Sequence, residues 1–70
     1  MSINSAVEGM EYTIKDIDID DKELVSFLLT LGCYKGEPIR VISHVSGSTI
    51  ISIKDGKYSL DRELAKSITV

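Results

Sequence analysis

At 70 residues, with 43% hydrophobic and 27% charged side chains, the chain has the make-up of one small globular domain over residues 1–70 and not of a disordered tail. A net charge of −3 without any lysine or arginine cluster lacks the electrostatic footprint that nucleic-acid binding needs. The longest unbroken apolar run, Phe27-Leu28-Leu29, falls far short of the roughly 18 residues of a membrane span.

The N-terminal segment places Tyr12 and Ile14 on one phase of a period-two pattern and Ile17 and Ile19 on the other, which predicts a strand interrupted by a bulge. Acid is concentrated there. Residues 1–23 hold seven acids and two bases (−5), and residues 24–70 four acids and six bases (+2). Asp16, Asp18 and Asp20 imitate the opening of a calcium loop, but such a loop would need Gly where Asp21 stands and Glu where Phe27 stands. A solvated acidic strand edge, which also discourages sheet-to-sheet association, accounts for them better.

Leu24, Phe27, Leu28 and Leu31 have the i, i+3, i+4, i+7 spacing of an amphipathic helix, predicted over residues 20–32. Asp20 as N-cap with Glu23 three residues on forms a capping box, and Gly32 supplies the left-handed stop. Lys22, Glu23, Ser26 and Thr30 make a polar face, while Val25 and Leu29 widen the apolar arc to roughly 200°. Two accounts fit this width: deep embedding among strands, or a contact surface that includes Val25 and Leu29.

Pro38 marks the start of a strand through Ile39, Val41 and Val45, and Ser46-Gly47-Ser48 turns it into Thr49-Ile50-Ile51. The face taken by His44 is open. Asp55-Gly56 is the strongest hairpin signal; a two-residue loop there pairs Ile53 with Tyr58 and Ile51 with Leu60. Ser52 and Ser59, and Lys54 and Lys57, then pair on the other face. Asp61 can cap a short helical turn through Leu64 and Ala65, which leaves Ile68 and Val70 as a closing strand. About five strands and one inserted helix, with no second helical layer, predict a mainly β fold: a small SH3-like β-barrel with an inserted helix.

No glycine cluster precedes a helix, so a phosphate-binding loop of the nucleotide type is disfavoured. Cys33 and His44 stand alone and eleven residues apart, without the paired spacing of a metal site or a nucleophile and its base. We expect Cys33 to be a small core residue, His44 a strand residue, and the chain to have no catalytic residues, metal ligands or cofactor. The lone cysteine and an N-terminus without a basic, then apolar, start predict a reducing, cytoplasmic setting.

The segment from Leu28 to Val41, Leu-Leu-Thr-Leu-Gly-Cys-Tyr-Lys-Gly-Glu-Pro-Ile-Arg-Val, resembles the signature of the FeoA family, small cytoplasmic components of bacterial ferrous-iron uptake. Ile3, Gly9 and Ile14 fit the family's opening, and Gly56, Leu60, Ala65, Ile68 and Val70 its closing. The chain departs from the family at Lys35, where Pro is common, and at Ala6 and Cys33, where Leu is common. The resemblance implies an SH3-like barrel with an inserted helix and a partner, the FeoB-type membrane transporter with its cytoplasmic GTP-binding domain. The chain is then an adaptor, and it is the wide apolar arc of the helix, not the resemblance, that points to Val25, Leu29, Leu31, Gly32, Tyr34 and Gly36 as the surface presented to the transporter; a homodimer is compatible with it. Two alternatives are a metal carrier or sensor using Cys33, His44 and the acids of residues 16–21, and a GTPase-stimulating partner that offers Arg40 or Arg62.

Overall fold

The computed structural model describes residues 1–70. A 3-10 turn at Ile3–Ser5 leads into β1 (Glu11–Thr13) and β2 (Asp16–Ile17), and the helix α1 (Lys22–Leu31) follows. The chain continues through β3 (Pro38–Val45), β4 (Ser48–Ile53), β5 (Gly56–Leu60), α2 (Arg62–Ser67) and β6 (Ile68–Thr69). β1, β3, β4 and β5 form one antiparallel sheet in that order, and β2 pairs antiparallel with β6.

The two phases of the N-terminal segment reflect a change of sheet, not the bulge expected there. The Ile14 N–H donates to the Glu37 carbonyl (2.9 Å) beside the first sheet, and the next N–H, that of Lys15, donates to Thr69 (2.7 Å) in the second. One strand therefore becomes two, and the fold has six short strands instead of five. The register shift lies instead on β3, between Val41 and Ser43. Closure is completed where the two ends of the chain meet, through a Ser2–Thr69 bridge and a bond from the Val70 N–H to the Met1 carbonyl (2.8 Å).

The start of α1 is one residue later than expected. Asp21, in extended conformation, caps it by accepting from the N–H groups of Glu23 (2.9 Å) and Leu24 (3.4 Å). Glu23 is thus a capped donor and not the third residue of a box built on Asp20. The C-terminal stop is as expected: Gly32 has φ 94, its N–H reaches the Leu29 carbonyl (3.0 Å), and the Cys33 N–H reaches Leu28 (2.9 Å). This is the Schellman arrangement, and its usual apolar partners are both present, since Leu28 and Cys33 are fully buried.

The β3–β4 hairpin closes on a two-residue turn, Ser46 (φ 47) and Gly47 (φ 83), with Val45 opposite Ser48. Both turn residues are left-handed, the combination whose twist suits a tight hairpin. The β4–β5 turn falls at Lys54-Asp55 and not at Asp55-Gly56. Ile53 pairs with Gly56, Ser52 with Lys57, Ile51 with Tyr58 and Thr49 with Leu60. Gly56 is a strand residue because the Tyr58 ring folds over it, taking the space a side chain there would fill. The slip is by two residues, so every side chain keeps its predicted face, and the expected Lys54–Lys57 pair gives way to Ser52–Lys57.

Ile14 and Leu28 join Ile39, Val41, Ile51 and Leu60 at the centre of one core, and Ile3, Ala65 and Ile68 close its open end. α2 follows the predicted cap, with Asp61 accepting from the Leu64 N–H (2.9 Å). Phe27 contradicts the expected core face: it is 47% exposed, and Leu28 is the only α1 side chain that is fully buried. Phe27 lies about 100° around the helix from Leu28. The narrow barrel wall accommodates Leu24, Val25 and Leu31 beside Leu28 only in part.

Cap identity can be read by denaturant unfolding. Asp21→Ala should destabilise the chain by about 1 kcal/mol, while Asp20→Ala stays within about 0.5 kcal/mol. Gly32→Ala should cost about 1–3 kcal/mol, because alanine is strained at this φ.

Candidate functional site

The turn that follows α1 is held by a lysine from the far side of the chain. The Lys54 stem lies across Gly32, so that a Cβ there would stand 2.8 Å from Cε and 3.0 Å from Cδ. Its ammonium sits 5.2 Å from the centre of the Tyr34 ring and 3.1 Å from Glu37 Oε2. Tyr34 first, and Glu37 after it, hold the Lys54 ammonium above the usual lysine range by favouring its charged form. α1 has no basic residue in its own last turn, and Lys54 supplies a cation beside that end of the helix. Lys54 itself adopts φ 51, so one residue sets the β4–β5 turn and clasps the α1–β3 turn.

Around this clasp the predicted docking residues divide into surface and support. Leu29 is 50% exposed and Tyr34 38% exposed, Gly36 is exposed, and Val25 is half-buried. Leu31 packs partly against the core and Gly32 is buried beneath Lys54, so these two position the turn without reaching its surface. Val25 and Leu29, one helical turn apart, share a flank of α1. Phe27 occupies the opposite flank, about 100° beyond Leu28 on the other side. The clasp itself was not anticipated: Lys54 is far from α1 in sequence, and Glu37, within the Leu28–Val41 segment, gives no local sign of pairing with it.

The residues of the alternative readings lie apart. Cys33 is completely buried, and burial pushes its thiol up to about 11 from 9.0. The His44 ring is tied at both nitrogens: Nε2 donates to the Ala6 carbonyl (2.7 Å), and Nδ1 faces Thr49 Oγ1 (3.1 Å). A carbonyl can only accept, so Nε2 carries a proton, and both ring nitrogens are occupied within the fold. Asp16, Asp18, Asp20 and Asp21 are exposed, and nowhere do three or more His, Cys, Asp or Glu side chains gather as metal ligands. Arg40 donates to the Gly9 carbonyl (2.9 Å), whereas Arg62 lines an open polar cleft. No helix is long and apolar enough to cross a membrane.

A six-stranded barrel closed by its own termini, with one helix inserted between β2 and β3, defines a small SH3-like domain. The sequence matches the FeoA domain family over residues 1–70, and the chain belongs to that family. Iron(II) transport protein A from Clostridium thermocellum superposes with a TM-score of 0.88 at 21% identity, over 99% of this chain and 43% of that one. A manganese-dependent transcriptional repressor gives 0.88 at 17% identity, over 97% of this chain and 39% of its own. The zinc complex of Stenotrophomonas maltophilia FeoA, described as a procaryotic SH3 domain protein, gives 0.84 at 16% identity over 99% and 87%. The chain thus spans less than half the length of the first two, and at these identities the likeness establishes the fold. No curated protein sequence matches.

The buried thiol generates a pH dependence with a definite sign. Between pH 9.0 and about 11 the folded chain keeps a proton that the unfolded chain loses, so stability falls as pH rises through this window and is insensitive to Cys33 below it. Urea unfolding should show a loss of about 2–3 kcal/mol across the window that is absent from Cys33→Ala, which separates it from tyrosine and lysine titration.

Proposed function

We propose that this protein is a cytoplasmic accessory of ferrous-iron uptake that binds the cytoplasmic part of an FeoB-type transporter and performs no chemistry of its own. Membership of the FeoA family supports the transport role. The observation that carries the docking surface is Leu29, half exposed on a helix that completely buries only Leu28. An apolar side chain left in water beside Val25 and next to a clasped turn is a pre-organised contact: the clasp limits the ordering that binding would otherwise require. The exposed aromatic Tyr34 adds a residue type that concentrates binding energy at interfaces. Similar domains within a longer manganese-dependent repressor fit a fold that serves as an appended binding module.

The test is binding of the isolated chain to the purified cytoplasmic part of the transporter. Leu29→Glu should weaken it by about tenfold or more, equivalent to about 1.4 kcal/mol, while shifting fold stability by no more than about 1 kcal/mol. Undiminished binding by a folded Leu29→Glu protein removes this surface from the proposal.

A further inference from the structure

Away from α1, a cleft of about 420 Å³ opens between the β3–β4 turn and α2, and none of the residues lining it is hydrophobic. Arg62 and Lys66 come from α2, Ser46, Gly47 and Ser48 from the turn, and Asn4 from the N-terminal 3-10 turn. His44 and Thr49 complete the lining and are bonded to each other.

Arg62 and Lys66 are four residues apart and share one face of α2. Both are free: the only ion pair in the chain is Lys54–Glu37, and the only lysine and arginine side chains that donate hydrogen bonds are Lys54 and Arg40. The Arg62 guanidinium reaches over the turn, with Nη2 3.8 Å from where a Cβ at Gly47 would stand.

Carboxylates are missing from this lining even though the chain is acidic overall. The nearby acids are engaged or face elsewhere. Asp61 caps α2, Glu8 accepts from the His44 N–H, and Glu63 lines a separate groove with Asp18 and Asp20. Lys66 stands on the ridge between that groove and the cleft, with no carboxylate within ion-pair distance.

We propose that this cleft binds a tetrahedral oxyanion of the phosphate class. A planar guanidinium gives two parallel donors to adjacent oxygens, the ammonium gives a point charge, and the hydroxyls of Ser46 and Ser48 with the Asn4 amide provide neutral donors. The proposal does not depend on the docking face of α1. The phosphoryl group can come from free phosphate or from a nucleotide, and the two sources separate experimentally.

The experiment is a phosphate titration of the ¹⁵N-labelled full chain followed by amide shifts, at ionic strength held constant with sodium chloride. Amides of Ser46, Gly47, Ser48 and Arg62 should shift saturably with a dissociation constant on the order of millimolar, and that of Lys57 should not. Arg62→Gln and Lys66→Gln should each weaken the response about tenfold, with the rest of the spectrum unchanged, while Lys57→Gln stays within about twofold. Binding of ATP about tenfold tighter than phosphate, on the same amides, assigns the site to a nucleotide's phosphoryl chain, and equal binding assigns it to the free ion. The proposal is overturned by the absence of saturation up to about 50 mM phosphate, far above a millimolar constant. Identical shifts with chloride alone, equal shifts with adenosine, or an undiminished response in Arg62→Gln would overturn it as well.

Discussion

A helix that fully buries one side chain and only half-buries three others is held weakly by its face and depends on its ends. Leu28 anchors α1 in the core, but its orientation depends on Asp21 at the start and on the left-handed reversal at Gly32. The reversal matters more, because three things meet there. The Schellman bonds bury Cys33 behind Leu28, the absent Cβ admits the Lys54 stem, and the ammonium beyond it engages Tyr34 and Glu37. A side chain larger than hydrogen at position 32 would disturb the helix stop and the contact with the β4–β5 hairpin together.

This anchoring explains how so small a chain keeps grease on its surface. A barrel of this size has little apolar surface to contribute, and its core residues are already committed among the strands and the N-terminal turn. Leu29, Phe27 and Tyr34 are surplus to that core, and they lie on or just beyond a helix whose position does not depend on burying them. A surface that stays apolar without being needed for folding can be altered or covered without loss of the fold, which is what a docking face requires.

The polar cleft sits on different elements and rests on a different device. There the tight Ser46-Gly47 turn and the short α2 bring free cations near hydroxyls, while capping and backbone contacts occupy the neighbouring acids. The apolar flank of α1 and this cleft share no residue, so each can be changed without touching the other.

Much of this was legible before any coordinates. The spacing of Leu24, Leu28 and Leu31, the stop at Gly32, the strand start at Pro38, the cap at Asp61 and the inward faces of β4 and β5 are local or periodic signals, and physics acts on them locally. The apolar arc wider than one face needs was readable, but whether Leu29 is embedded or exposed was decided only by the tertiary structure, which places it half in water. Sequence alone could not place the turn at Lys54-Asp55, because Asp55-Gly56 satisfies the same local chemistry, and the choice fell to the Tyr58 ring over Gly56 and to Lys54 reaching Gly32. Nor could it show that residues 11–17 divide between two sheets at Ile14, or that Arg62 arches over the Ser46-Gly47 turn. The chain's own pattern determined which residues turn inward and where its helices stop; tertiary contact decided register, sheet membership and which cations remain free, since those depend on partners far apart in the chain.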